Sequence, residues 1–128
     1  MFLGLPHFIS FSLRYFFNSF RELHACGLYN QNRVIVAGGF LSGSELDTVE
    51  IFSATSHTWS AAGTNLPKAL ASATIYQQSM DFYLLGGYDG TSAQDTIYLY
   101  NGSQWVESPT KLKEPLEGHC VTLWVDGN

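Results

Sequence analysis

The chain has 128 residues, of which 45% are hydrophobic and 13% charged, with a formal net charge of −5. That is enough for one globular domain with a real core, and the scarcity of charge leaves apolar surface that suits contact with another unit. From Val34 onward only Lys68, Lys111 and Lys113 oppose ten acidic residues, so there is no cation cluster to displace counterions from nucleic acid or to hold an anionic membrane, and neither partner is expected.

Residues 1–20, MFLGLPHFISFSLRYFFNSF, form an unassigned apolar N-terminal segment. It lacks a basic n-region and a small-residue cleavage site, which argues against a signal peptide. Pro6, His7, Arg14 and Asn18 interrupt the stretch of about 20 apolar residues that a membrane span requires. Cys26 and Cys120 make no disulfide framework and sit in no metal-spaced Cys/His pattern. Both are expected to be buried thiols, no metal or other cofactor is implied, and unpaired cysteines favour a cytoplasmic setting over a secreted one. Asn101-Gly102-Ser103 is a glycosylation sequon that would matter only outside the cell.

The next elements repeat. Val34 to Ala37 is apolar at every position and ends in Gly38-Gly39-Phe40; Phe82 to Leu85 ends in Gly86-Gly87-Tyr88, 48 residues on. Five of the nineteen positions from Val34 to Phe52 are identical under this shift, including Ser44/Ser92, Asp47/Asp95 and Thr48/Thr96. Trp59 and Trp105 follow at a spacing of 46, two residues having been lost from the intervening turn. Glu22 to Tyr29 resembles Glu117 to Trp124 at a shift of 95, with Ala71 to Tyr76 between them. The chain therefore holds two full units and the first strand of a third: 21–62, 63–109 and 110–128.

Each full unit has four short apolar segments. In the second they are Ala71–Tyr76, Phe82–Leu85, Thr96–Tyr100 and Gln104–Val106. Continuous apolar runs imply sheets covered on both faces, and Asn101-Gly102 predicts a type I′ hairpin turn. The glycine doublets mark places where the backbone takes positive φ or where a large ring, such as Phe40, Tyr88, Trp59 or Trp105, comes close. Four covered strands repeating in the high forties predict an all-β partial β-propeller of four-stranded antiparallel blades.

The combination of Gly38, Gly39, Phe40, Phe52 and Trp59 with Gly86, Gly87, Tyr88, Tyr100 and Trp105 resembles the kelch repeat. The Gly-His and Trp-Asp pairs of WD40 repeats are missing. The resemblance implies a kelch-type propeller and a non-enzymatic module that binds protein partners through a loop rim, as in ubiquitin-ligase adaptors or cytoskeletal scaffolds. A propeller needs about 4 to 8 blades, so two blades need neighbours in a longer chain or an oligomer.

The rim residues expected to meet a partner are Phe40, Leu41, Ser44, Tyr88, Thr91, Ser92 and Gln94. Kelch rims that bind acidic peptides carry arginines, and these loops have none. A second reading makes the chain part of a secreted propeller enzyme, galactose-oxidase-like or sialic-acid-isomerase-like. His24 and His119, at equivalent places, would then line a channel; the plainer reading has them hydrogen-bonding between blades. A third reading is a nonfunctional truncated product. Asp47 and Asp95 are expected to cap loop amides before the third strand.

Overall fold

The computed structural model describes residues 21–79, 81–122 and 124, and within these the chain is all-β with no helix. The predicted segment 1–20 lies outside the described residues. Ten strands follow in order: β1 (Ala25–Asn30), β2 (Arg33–Ala37), β3 (Phe40–Leu41), β4 (Ser44–Glu45), β5 (Val49–Ser53), β6 (Thr58–Ala61), β7 (Thr74–Gln78), β8 (Asp81–Leu85), β9 (Ile97–Tyr100) and β10 (Trp105–Glu107). They build two four-stranded sheets, β1-β2-β5-β6 and β7-β8-β9-β10, antiparallel throughout, and a small β3-β4 hairpin. The two sheets are consistent with neighbouring blades of a β-propeller, and among the described residues they do not close a ring.

Strand alternation sorts each blade into two faces. In the first, Ala37 pairs with Ala25 and Val49, and Ile35 with Gly27 and Ile51, so all six share a face. In the second, Phe82 pairs with Tyr100, which pairs with Trp105, while Leu84 pairs with Ile75 and Tyr98. These two faces meet. One buried cluster joins Ala25, Ile35, Ala37 and Val49 of the first blade to Phe82, Leu84, Tyr98, Tyr100 and Trp105 of the second. Tyr29, at the end of β1, stacks on Phe82 with ring centroids 5.5 Å apart and planes inclined by 10°. Gly27 lets the inner strands close up: a Cβ there would lie 2.9 Å from Ile75 Cγ2. Val36, Trp59 and Leu85 are buried outside this cluster, on the opposite faces, but Cys26 and Leu28 are exposed there, so the expected covering on both sides is met only in part.

The doublets fix the repeat. Gly38 and Gly39 have φ of 64° and 112°, and Gly86 and Gly87 have 60° and 103°. Backbone, not an aromatic ring, is what comes close: a Cβ would overlap Leu70 O at Gly38 and Leu116 O at Gly86, and would lie 2.8 Å from Glu22 O at Gly39 and 2.9 Å from Ala71 O at Gly87. The hydrogen bonds are copied from blade to blade. Gly39 N donates to Leu70 O and Gly87 N to Leu116 O, both at 2.8 Å; Gly38 N donates to Thr48 O and Gly86 N to Thr96 O, both at 3.0 Å. A ring at either doublet would displace these bonds, which is why the aromatics sit elsewhere. Trp59 packs on Phe52 at 5.2 Å and Trp105 on Tyr100 at 5.3 Å, each at 48°.

The turn at Asn101-Gly102 differs from expectation. Tyr100 pairs with Trp105, leaving a four-residue loop in which Gly102 has φ of 95° and Asn101 stays at negative φ. Asn101 Oδ1 instead accepts from Ser103 N and Gln104 N, both at 3.0 Å, so its side chain performs the turn. The two-residue turn with positive φ at both positions is Ser42-Gly43, at 49° and 91°, between β3 and β4.

The blades are linked by a relay at Leu23, Ser72 and Gly118, whose φ values are 55°, 53° and 61°. Ser72 N donates to Leu23 O and Gly118 N to Ser72 O, each at 2.8 Å. Gly118 and His119 therefore lie on the second blade as Ser72 and Ala73 lie on the first, and this places His24 and His119 in equivalent positions. Residues 117–122 carry no strand ladder, since a strand is defined by a paired neighbour and none is present among the described residues.

Candidate functional site

The loops after the two doublets and the long connections between strands gather at one end of the blades. Leu46 N donates to Gly39 O and Gln94 N to Gly87 O, each at 2.8 Å, while Leu66 N reaches Asp47 O at 2.7 Å and Leu112 N reaches Asp95 O at 2.8 Å. The main chains of Asp47 and Asp95 thus anchor the returning connections, where capping by their side chains was expected. Lys111 Nζ lies 3.4 Å from Asp95 Oδ1.

On this end Ser44, Thr91 and Ser92 are exposed, and Phe40, Leu41, Tyr88 and Gln94 are half-buried. Phe40 and Tyr88 serve partly as framework: Phe40 exchanges backbone bonds with Glu22 and Tyr88 with Ala71. Gln94 Nε2 donates to Ser92 O at 2.9 Å. Its Oε1 accepts from Lys68 Nζ at 3.0 Å.

Lys68 was not picked out from the sequence, although it is the sole Lys or Arg between Arg33 and Lys111. It crosses from the connection between blades to pair with Asp89 as well as Gln94. Asp89 Oδ1 accepts from Thr91 N at 3.0 Å and Ser92 N at 2.9 Å. The Lys68 bond and then these amide bonds hold the Asp89 carboxyl down at about 2, from an ordinary 3.8. The loops of the two blades also touch, because a Cβ on Gly90 would lie 2.6 Å from Glu45 Oε2.

A folded pKa below the unfolded one adds stability above the ordinary carboxylate range, and that contribution is lost as pH falls toward about 2. A carboxyl carbon titration should place the Asp89 midpoint near 2 in the chain and return it toward the ordinary value in Lys68→Met. An unchanged midpoint in the variant would show that Lys68 does not hold the carboxylate.

Arg21 and Glu50 form a buried pair that pattern reading also missed. Arg21 Nη2 lies 3.3 Å from Glu50 Oε1, and Nη1 donates to Gly38 O at 3.1 Å and Thr48 O at 3.0 Å. Burial pushes the Glu50 carboxyl up while Arg21 pulls it down, with burial the larger effect. The second blade has Leu70 and Tyr98 in the equivalent places, so the first blade carries an ion pair where the repeat carries apolar side chains. The signal was available in the repeat itself, as charge at two otherwise apolar positions.

Cys26 and Cys120 are exposed, contrary to the expectation of buried thiols. For Cys26 the reason is alternation: Ala25 and Gly27 take the face toward the second blade, and Cys26 points to the other. His24 backs onto Gly39, and burial together with Arg21 holds its imidazole below the ordinary value. His119 packs its ring carbon against Gly86, a Cβ there lying 3.1 Å from Cε1. Among the described residues no group of three His, Cys, Asp or Glu is placed to hold a metal ion. A cleft of about 660 Å³ at the β1–β2 turn end is lined by Tyr29, Asn30, Gln77, Phe82 and Tyr100 among others, with no carboxylate, imidazole, thiol or amine.

Residues 24–65 match the model of the Kelch motif. Spermatocyte protein spe-26 of Caenorhabditis elegans is 25% identical over 83 residues, which cover 64% of this chain and 14% of that protein, so the chain spans about one seventh of that relative's length. Residues 24–65 thus carry a Kelch motif, and the second sheet copies its strand arrangement and its doublet hydrogen bonds.

Proposed function

We propose that the chain is a non-enzymatic protein-interaction module, two blades of a larger propeller whose loop rim receives a protein partner. The units run 21–62 and 63–109, with 110–128 opening a third. Phe40, Leu41, Ser44, Tyr88, Thr91, Ser92 and Gln94 supply the contact surface. The observation that carries this reading is the contrast between a constant frame and variable loops. The bonds closing residues 40–45 and 88–93 onto the sheet repeat between blades, while the side chains they present change from FLSGSE to YDGTSA. A rigid scaffold with variable loops is how recognition surfaces are built. An adaptor role, such as that of a ubiquitin-ligase subunit or a cytoskeletal scaffold, follows if the rim holds one partner while other parts of the parent hold another.

Lys68 is engaged by Asp89 and Gln94, so the free rim presents hydroxyls, Leu41 and carboxylates. That surface suits a neutral or basic protein segment more than an acidic one. The test is affinity capture from cell extract with the chain, with Leu41→Asp/Thr91→Arg at the rim, and with Ser56→Arg/His57→Glu at the other end. The rim pair should lower recovery of a discrete partner by 10-fold or more at unchanged circular dichroism, and the other pair should not. Equal recovery by all three would remove the rim from the reading.

A further inference from the structure

The face that the first blade turns toward the second changes character along its length. Near the doublet it is apolar, with Ala37 opposite Val49 and Ile35 opposite Ile51. Toward the far end of the sheet the register sets Arg33 opposite Ser53 and Ser53 opposite Thr58, while Ser60 lies opposite Ile51. Alternation puts all of these on the face that Ile35 shares. With Ser56 of the β5–β6 turn they line a cleft of about 470 Å³, whose lining Tyr29 and, from the second blade, Tyr100 help to complete. That volume is in the range of small-molecule sites.

The chemistry is that of an anion site. Arg33 makes no ion pair among the described residues, and no carboxylate lines the cleft. The hydroxyls are drawn together: Ser56 Oγ and Thr58 Oγ1 lie 2.7 Å apart, and Ser53 Oγ accepts from Ser56 N at 3.4 Å. Accepting that bond leaves the Ser53 O–H to donate, and a hydroxyl pair that shares one proton keeps the other to offer. A planar fork of N–H donors beside several O–H donors suits a tetrahedral oxyanion better than a carboxylate, whose two oxygens a single guanidinium satisfies. With a net charge of −5 the protein as a whole repels anions, so any attraction must be local.

The blade frame does not demand these residues. At the repeat shifts of 48 and 46 the second blade has Asp81 for Arg33, Asn101 for Ser53, Gln104 for Thr58 and Val106 for Ser60. The donor set belongs to the first blade, at the end away from the rim loops.

We propose that Arg33, Ser53, Ser56, Thr58 and Ser60 bind the phosphate group of a small phosphate monoester, whose organic part lies against Tyr29 and Tyr100. The guanidinium takes two phosphate oxygens and the hydroxyls take the third. This site does not depend on the rim holding a protein.

Amide NMR titration of the chain with phenyl phosphate, inorganic phosphate and benzoate tests this. Phenyl phosphate should bind with a Kd of about 1 mM or below, and should still saturate at about 0.15 M salt, where long-range attraction is screened. Inorganic phosphate should bind more weakly, for want of the ring, and benzoate about 10-fold more weakly than phenyl phosphate. Arg33→Gln should lower phenyl phosphate affinity about 10-fold or more, and Arg33→Lys, which keeps the charge but loses the fork, should recover only part of it. Ser53→Ala/Thr58→Val should cost about 3-fold or more with the charge intact, at unchanged circular dichroism. Absence of saturable binding, or equal affinity in Arg33→Gln, would overturn the proposal. So would full affinity in the hydroxyl pair together with equal binding of benzoate, which would reduce the site to one surface charge. A serine-phosphorylated peptide that binds tighter than phenyl phosphate would overturn the small-molecule assignment. Leu41→Asp/Thr91→Arg should leave the shifts at this cleft unchanged, so the rim reading and this one fail separately.

Discussion

Replacing Gly86 by alanine should destabilise the chain by about 3 kcal/mol or more, whereas the same change at Gly102 should cost about 1 kcal/mol. Both residues have positive φ, 60° and 95°, so the conformational penalty is shared. The difference lies in what the new methyl group meets: nothing within 4 Å at Gly102, and the carbonyl oxygen of Leu116 at Gly86. That oxygen belongs to backbone already bonded to Gly87 N at 2.8 Å. It cannot withdraw without giving up a buried hydrogen bond worth about 1 kcal/mol, with more for any group left unpaired. Urea unfolding of the two variants decides the matter. Equal losses would mean that the connection does not close on the doublet, and the account of the repeat would fail with it.

Truncating Phe82 to alanine should cost about 3–5 kcal/mol, the range for a buried aromatic whose site does not collapse. Phe82 is 3% exposed and stands where the two sheets join, against Tyr29 from the other blade. Because the central core lies between the blades, the loss should appear as a single weakened transition and not as the melting of one blade. Tyr29→Ala and Phe82→Ala together should reveal a coupling of about 0.5–1.5 kcal/mol, as expected for a stacked pair. Strict additivity would place the rings out of contact. Leu23→Ala, at a side chain 58% exposed, should change stability by less than about 0.5 kcal/mol and serves as the control.

The repeat was legible because a blade is a local object. Four short apolar segments, a doublet that only glycine can form, and a tryptophan at fixed distance all fall within fewer than 50 residues, and each leaves its mark on the sequence. Strand boundaries shifted by only a few residues at the inner strand, where Ala71–Tyr76 became Thr74–Gln78. The turn at Asn101 was misjudged because the dipeptide signal does not report on cross-strand register. Once Tyr100 pairs with Trp105, two further residues belong to the loop, and the asparagine acts through its side chain instead of its φ. Cys26 was misjudged because burial of a strand residue depends on which face it occupies, and composition is blind to that parity; Cys120 lies where no strand ladder forms among the described residues.

The candidate rim was legible only in outline. Loop positions followed from the doublets, but the lysine that joins two of the loops lies 21 residues from Asp89 and 26 from Gln94 in sequence. Long-range pairing of that kind has no periodic signature.

By itself the sequence determined the all-β class, the two units and the places where glycine is compulsory, because these depend on side-chain alternation and on allowed backbone angles within one unit. Only the tertiary structure decided which face of each blade meets the other, and that carbonyl oxygens and not rings crowd the doublets. Those outcomes depend on how one sheet lies against the next, and the packing of two separate surfaces is encoded in their combined shapes, not in either stretch of sequence alone.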